Sequence, residues 1–316
     1  MSRAEYFRLL GIDCSPELRR RIDVAFRISE HPTEEEYVYI APSSDGNCRM
    51  MDENHLCMIH RECGEEFQPA VCRLYPRAIK TENPAAAVCS GSCEKVIEML
   101  MEEPYPLPFT IRSLHTTSAA PADIATDSFT MRRRCMDLWQ EDGSDRERFE
   151  ALAALLGGTD DGFRVDSTVG FLTYARDLLE FFARGDITLC DIADEALERF
   201  RMTEGVSEAS VKAFTEANAR LAEAIPHLEH HYGNIMANHM LYASFPYVTD
   251  TDNYPGAFRG FAAVYVLLRF LCACAVFGDN VRDSFVDITA TVMRYVEHTD
   301  FYGHALTVHT ALRKRK

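Results

Sequence analysis

Six of the eleven cysteines in this 316-residue chain fall between Cys48 and Cys93. They read C-RMMDENHL-C-MIHRE-C-GEEFQPAV-C from Cys48 to Cys72, and C-SGS-C from Cys89 to Cys93. Thiols crowded at this density in a reducing compartment serve as ligands for a metal or a cluster. The segment is broken by turn residues and carries few long periodic apolar runs, so it cannot build much core of its own. A bound metal would supply the missing stabilisation.

The rest of the composition is globular, with 47% hydrophobic and 26% charged residues. A formal charge of −16 and a pI near 5.1 argue against nucleic acid, because binding phosphates needs a basic face. An acidic surface suits a lysine-bearing protein partner instead. The N-terminal MSRAEYFRLLGIDCSPELRRRID has no apolar run ahead of a small-residue cleavage site. The most apolar run, Gly260 to Leu268, lies between Arg259 and Arg269 and reads as a core helix rather than a membrane span. With an odd cysteine count and no export signal, the expected location is the cytoplasm.

Ser15-Pro16 makes an N-cap and first-turn pair ahead of Leu18, Ile22, Ala25 and Phe26, which repeat at helical spacing. From Tyr37 to Met51 the pattern YVYIA, PSSDGN, CRMM suggests a short hairpin or irregular strand pair. The run EKVIEMLMEE predicts a helix that stops at the prolines of PYPLP. Ser113 to Asp127 is small and polar and marks the expected linker, 113–127, between a cysteine-rich module over 1–112 and a helical domain over 128–316. In that domain Ser144 and Glu147 form a capping box, and Gly157-Gly158 ends the helix. Phe171, Tyr174, Leu178 and Phe181 draw one apolar stripe; Val281, Phe285, Ile288, Val292 and Tyr295 draw another. The expected fold is mainly α, a small irregular cysteine-rich metal-binding module packed on an irregular helical bundle.

Cys48 and Cys57 are separated by a turn-forming Asp52-Glu53-Asn54, and Cys93 opens a helix whose positive end favours a thiolate. The spacings are wider than the CxxC pairs of a zinc ribbon. The run Cys48…His55-Leu56-Cys57-Met58-Ile59-His60…Gly64-Glu65-Glu66…Pro69…Cys72-Arg73-Leu74-Tyr75-Pro76-Arg77, followed by Ser92-Cys93-Glu94, resembles the bacterial flagellin lysine-N-methylase family. That family belongs to a wider group of cysteine-rich zinc- or iron-chelating domains. His231-Tyr232-Gly233-Asn234-Ile235-Met236, Phe245-Pro246-Tyr247 and Arg294-Tyr295-Val296-Glu297-His298 extend the resemblance over most of the chain.

The resemblance implies an iron–sulfur cluster, with zinc as the alternative, and transfer of a methyl group from S-adenosylmethionine to lysine side chains of flagellin. Cys48, Cys57, Cys72 and Cys93 match its ligand pattern, Cys63 and Cys89 are extra, and Arg77 would stabilise the cluster's charge or the local fold. Tyr247 and His298 are the catalytic candidates, because they fall in matching stretches. Family members usually begin with a further cysteine-rich leader containing Gly-Trp. Here only Cys14 precedes Cys48 and the single tryptophan is Trp139, so the expectation is a member without that leader.

Read from the residues alone, neither standard cofactor site is present. No strand–GxGxG–helix unit occurs, and Leu156-Gly157-Gly158-Thr159 reads as a helix C-cap. Cys89 and Cys93 supply the first part of a radical-type CxxxCxxC, but its third position is Val96. Lysine methylation needs a neutral amine, and Tyr247, Tyr254, Tyr265, Tyr295 and His298 could line or deprotonate an amine channel. His227, His230 and His231 read as a solvated face, and Asp250, Asp252 and Asn253 lack the glycine and closing glutamate of a calcium loop. Cys135, Cys190, Cys272 and Cys274 read as small buried hydrophobes. The alternative to an enzyme is a non-catalytic helical interaction protein stapled by zinc or iron, or an inactive truncated relative.

Overall fold

A computed structural model describes residues 1–43, 47–80, 86–109, 126–157, 167–182, 187–248 and 253–314. Contacts gather the chain into two compact units, Met1–Tyr75 and Pro76–Lys316. The expected linker over 113–127 lies outside the described residues except for its last two, where a helix begins. Asp250 and Asp252 also lie outside them. The chain is mainly helical, with fourteen α-helices and four short strands among the described residues.

In the first unit, α1 (Arg3–Leu10) starts at a Ser2–Glu5 capping box and α2 (Pro16–Ala25) at the Ser15 cap with Pro16 in its first turn. Strand β1 (Phe26–Ile28) pairs antiparallel with β2 (Val38–Ile40), Arg27 opposite Tyr39. The expected partner of the Tyr37–Ile40 strand, the CRMM segment, is not its partner. Residues 26–28 continue directly out of α2 and take that edge, while Met51 forms only an isolated bridge to Cys57. Two short helices, α3 (Met58–Cys63) and α4 (Ala70–Leu74), complete the unit. Leu9, Ile12, Leu18, Ile22, Ala25, Met50, Met58 and Ile59 make its core, with Cys14, Cys57 and Cys63 packed at the edge. For about 75 residues this is a small core, of the size that metals and disulfides commonly supplement.

The second unit opens with the hairpin β3 (Arg77–Lys80) and β4 (Ala86–Cys89), in which Arg77 stands opposite Cys89. The loop Cys89–Cys93 leads into α5 (Glu94–Glu102), which ends before Pro104 as its proline-rich sequel requires. Then follow α6 (Thr126–Gln140), α7 (Asp145–Leu156), α8 (Thr168–Phe182), α9 (Ile187–Arg199) and α10 (Glu208–Ala224). The last are α11 (Leu228–Tyr242), α12 (Tyr254–Cys272), α13 (Val281–His298) and α14 (Phe301–Lys314). Ser144 and Glu147 form the capping box of α7, and Gly157 closes it in a left-handed conformation.

Helix α12 is apolar around almost its whole circumference and packs against α7, α8, α13 and α14. The stretch Tyr254–Phe277 is long and apolar enough to cross a bilayer, but 89% of its most apolar window is buried by the rest of the protein, so it is a core helix. Trp139 packs edge-on to Phe149 and Phe261, and each such buried ring contributes about 1.5–3 kcal/mol. The α8 stripe holds at Tyr174 and Leu178 and fails at its two ends. Leu172, Tyr174, Ala175, Leu178, Leu179 and Phe182 are buried, while Phe171 is half-buried and Phe181 exposed. On α13, Phe285 and Val292 are buried, but Val286, Thr289, Met293 and Val296 share the inner face with them.

Candidate functional site

Three of the four cysteines named by the resemblance lie in the first unit. Asp52 folds the chain between Cys48 and Cys57: its Oδ1 accepts from the Asn54 and Leu56 amides at 2.9 and 3.0 Å, and its Oδ2 meets Arg61. The Leu56 amide bond, against the cost of desolvation, holds the Asp52 carboxyl below the usual range. Cys57 is the N-cap of α3, and the adjacent Met58 amide bonds Met50 O at 2.8 Å. Cys72 sits in α4, whose first amide, Ala70 N, donates to Glu5 Oε1 at 2.6 Å.

Cys72 is exposed as a residue, yet the surroundings of its sulfur are crowded enough to raise the thiol above the ordinary value. Desolvation is the largest cause, followed by the charges of Cys48 and then Cys57. Cys48 and Cys57 thus lie near enough to act on the Cys72 thiol. Cys63 belongs elsewhere: its thiol is raised first by burial and then by Cys14, and it points at Asp13 O, 3.9 Å away. An open cavity of about 370 Å³ borders Cys48, lined also by Arg21, Met51, Asp52, Glu53 and His55. Among the described residues, no group of three or more His, Cys, Asp or Glu is placed to hold a metal ion. Thiolates are nonetheless soft donors of the type that zinc and iron take.

Cys89 and Cys93 bracket a loop of the second unit that carries a second group of polar side chains. Ser90 Oγ donates to Glu297 Oε2 at 2.6 Å and lies 2.6 Å from Ser92 Oγ; Ser92 Oγ lies 3.0 Å from His298 Nε2. Glu297 Oε1 faces His239 Nδ1 at 3.3 Å, and His239 Nε2 faces the Tyr302 hydroxyl at 3.0 Å. The side chains of His239 and Glu297 are 1% and 0% exposed, while His298 is exposed. Burial first, and the Glu297 charge second, push the Tyr302 hydroxyl far above its ordinary value, so it keeps its proton.

The same loop is tied down at both ends. Asn238 Nδ2 donates to Cys89 O at 2.9 Å, and Arg294 Nη2 donates to Ser92 O at 3.1 Å and to Glu94 Oε1 at 3.0 Å. One turn earlier on α11, Asn234 Nδ2 reaches Leu100 O, Glu103 O and Pro104 O and so caps the far end of α5. Two glycines allow the close packing. A Cβ at Gly91 would stand 3.1 Å from Met293 Cγ, and one at Gly260 would overlap the Tyr302 ring.

The other candidates separate. Tyr247 pairs with Tyr254, ring centroids 5.8 Å and hydroxyls 3.5 Å apart. Tyr265 is buried beside Trp139, Phe149 and Arg269 with its hydroxyl on Asp145, and Tyr295 packs on Phe182 and Phe301. His227 and His230 are exposed and stacked on each other, and His230 also stacks on Tyr105. Cys135, Cys272 and Cys274 are buried, and desolvation pushes their thiols up to about 12; Cys190 is only half-buried. Ser90, Ser92, His239, Glu297 and Tyr302 were not legible as site residues. The available signal was Asn234, Asn238 and His239 set among the apolar Ile235, Met236, Ala237 and Met240 of α11. Comparison of the chain with family models, curated proteins and solved structures finds no match.

Proposed function

We propose that this chain is a cytoplasmic protein-lysine N-methyltransferase acting on flagellin, with a metal-binding cysteine module. One convergence carries the reading. Three stretches on which the resemblance rests, around Ser92-Cys93, Asn234 and Arg294–His298, are far apart in sequence yet meet at the Cys89–Cys93 loop and the helix it opens. Arg294, Glu297 and His298, three and four residues apart, present one face of α13 to that loop.

S-adenosylmethionine, when bound, would supply a methyl group carried on a sulfonium. The described residues form no glycine-rich turn for it, and none is assigned to it here. The chain's own contribution would be to the lysine: an ammonium has no lone pair, so a base must take its proton before a methyl group can be accepted. His298 is exposed and held by Ser92, which suits that task. Cys48, Cys57 and Cys72 would hold iron, as an iron–sulfur cluster, or zinc; Cys93, the fourth cysteine of the resemblance, caps α5 in the second unit.

Anaerobically purified protein, incubated with flagellin and isotopically labelled S-adenosylmethionine, should place label on lysine side chains located by mass spectrometry. Absence of label on lysine rejects the methyltransferase reading.

A further inference from the structure

Tyr302, His239, Glu297, Ser90, Ser92 and His298 form one unbroken hydrogen-bonded line in the second unit. Five of the six are buried, and the line reaches the surface at His298. The chemistry of each group fixes where the protons lie. With Glu297 taken as ionised, it accepts from Ser90 at one oxygen and from His239 Nδ1, 3.3 Å away, at the other. Ser90 spends its only hydroxyl proton on Glu297. Its oxygen must then accept, and it does so from the Ser92 amide at 3.2 Å and from the Ser92 hydroxyl at 2.6 Å. With its proton spent in turn, Ser92 Oγ accepts from His298, and the His298 proton on that side is on Nε2. In the other arm His239 donates from Nδ1, so its Nε2 accepts from the Tyr302 hydroxyl.

We propose that Glu297, acting through Ser90 and Ser92, holds His298 with its proton on Nε2, leaving Nδ1 as the basic nitrogen offered to a primary ammonium. The identity of that ammonium as a lysine side chain rests on the function proposed above. In the step, an ammonium N–H bond breaks and its electron pair stays on the amine. The proton forms a bond to His298 Nδ1, and the resulting imidazolium keeps its Nε2–H on Ser92. The positive charge is faced by the buried Glu297 carboxylate across two hydroxyls. Glu297, Ser90 and Ser92 are positioning residues; His298 alone meets the substrate. Arg294 fixes the Ser92 carbonyl, and Tyr242 stands edge-on to the His298 ring at 6.4 Å, which sets the ring's plane.

Ring-¹⁵N-labelled histidine in the full-length protein reports the arrangement directly, with His298→Asn and His239→Gln used to assign the two signals. The expected result is His298 protonated on Nε2, that N–H exchanging slowly with solvent, and His239 protonated on Nδ1. Ser90→Ala and Ser92→Ala should each speed exchange of the His298 Nε2–H at least about tenfold, and Ser90→Thr should restore it. These serine variants, which remove no charge, keep the test available where Glu297→Gln, at a buried pair, prevents folding. A His298 proton on Nδ1, or equal exchange rates in wild type, Ser90→Ala and Ser92→Ala, overturns the proposal. Methyl transfer does not enter this readout: the expected proton positions in a protein that never methylates flagellin would reject the enzyme reading while leaving the orientation of His298 standing.

Discussion

Glu297 and His298 are neighbours on α13, yet they hold opposite ends of a two-serine bridge. Ser90 donates to Glu297 at 2.6 Å, and Ser92 meets His298 at 3.0 Å. The loop between Cys89 and Cys93 thus joins a fully buried carboxylate to an exposed imidazole.

Asn234 restrains the far end of the helix that this loop opens. Its Nδ2 serves three carbonyls at the end of α5. Asn234→Ala leaves those acceptors without their donor in a buried setting, at a cost of about 1–3 kcal/mol. Chemical denaturation should show the loss as a lower midpoint with an unchanged slope.

Gly260→Ala should also destabilise, although alanine is the better helix former. The added methyl group overlaps the Tyr302 ring within the packed core. Overpacking costs about 1–3 kcal/mol against a helix-propensity gain of about 1 kcal/mol. Displacement of Tyr302 removes its hydrogen bond to His239, which the His239 ring ¹⁵N signals should register.

The first unit should lose stability in acid through Glu5. Desolvation works against its carboxylate, but the Ser2 and Ala70 amides outweigh it and hold the Glu5 carboxyl below the ordinary glutamate value. A depressed folded value means that the stabilisation is fully present above the ordinary value and is lost as pH falls through the lowered one. Glu5→Gln should flatten the acid limb of the pH–stability curve for this unit. An acid limb identical to that of wild type would show that other carboxylates produce it.

Metal should bind the thiols of the first unit at the expense of their protons. Because the Cys72 thiol is raised by desolvation and by Cys48 and Cys57, uptake should release protons and weaken as pH falls. Anaerobic protein carrying iron and acid-labile sulfide fits a cluster, and colourless protein carrying one zinc rejects the cluster. Cys72→Ser should lower metal content about tenfold or more, whereas Cys63→Ser, whose neighbour is Cys14, should leave it unchanged.

Local chemistry was legible in the sequence, and tertiary choice was not. Ser15-Pro16, Ser144 with Glu147, and Gly157 each act on their own turn of helix, and each does what its residue type requires. The partner of Val38–Ile40 depends on which strand reaches its edge, and the exit of α2 decided it. The two ends of the α8 stripe differ from expectation because Phe171 and Phe181 are as apolar as the buried Leu172 and Phe182, and only packing tells them apart. At the site, His298 was reachable from its motif. Its link to Ser92 spans 206 residues and the Ser90–Glu297 bond spans 207, distances at which no spacing rule operates. Cysteine density drew the eye to Cys89 and Cys93, while the serines between them carry the described contacts to α13.

The most direct measurement compares methyl transfer to flagellin lysine by wild-type protein and by His298→Gln, at saturating flagellin and S-adenosylmethionine. Wild type should label lysine, and kcat should fall roughly 10²-fold or more in the variant, the usual scale for removal of a general base. Equal rates for the two proteins would remove His298 from the role of base.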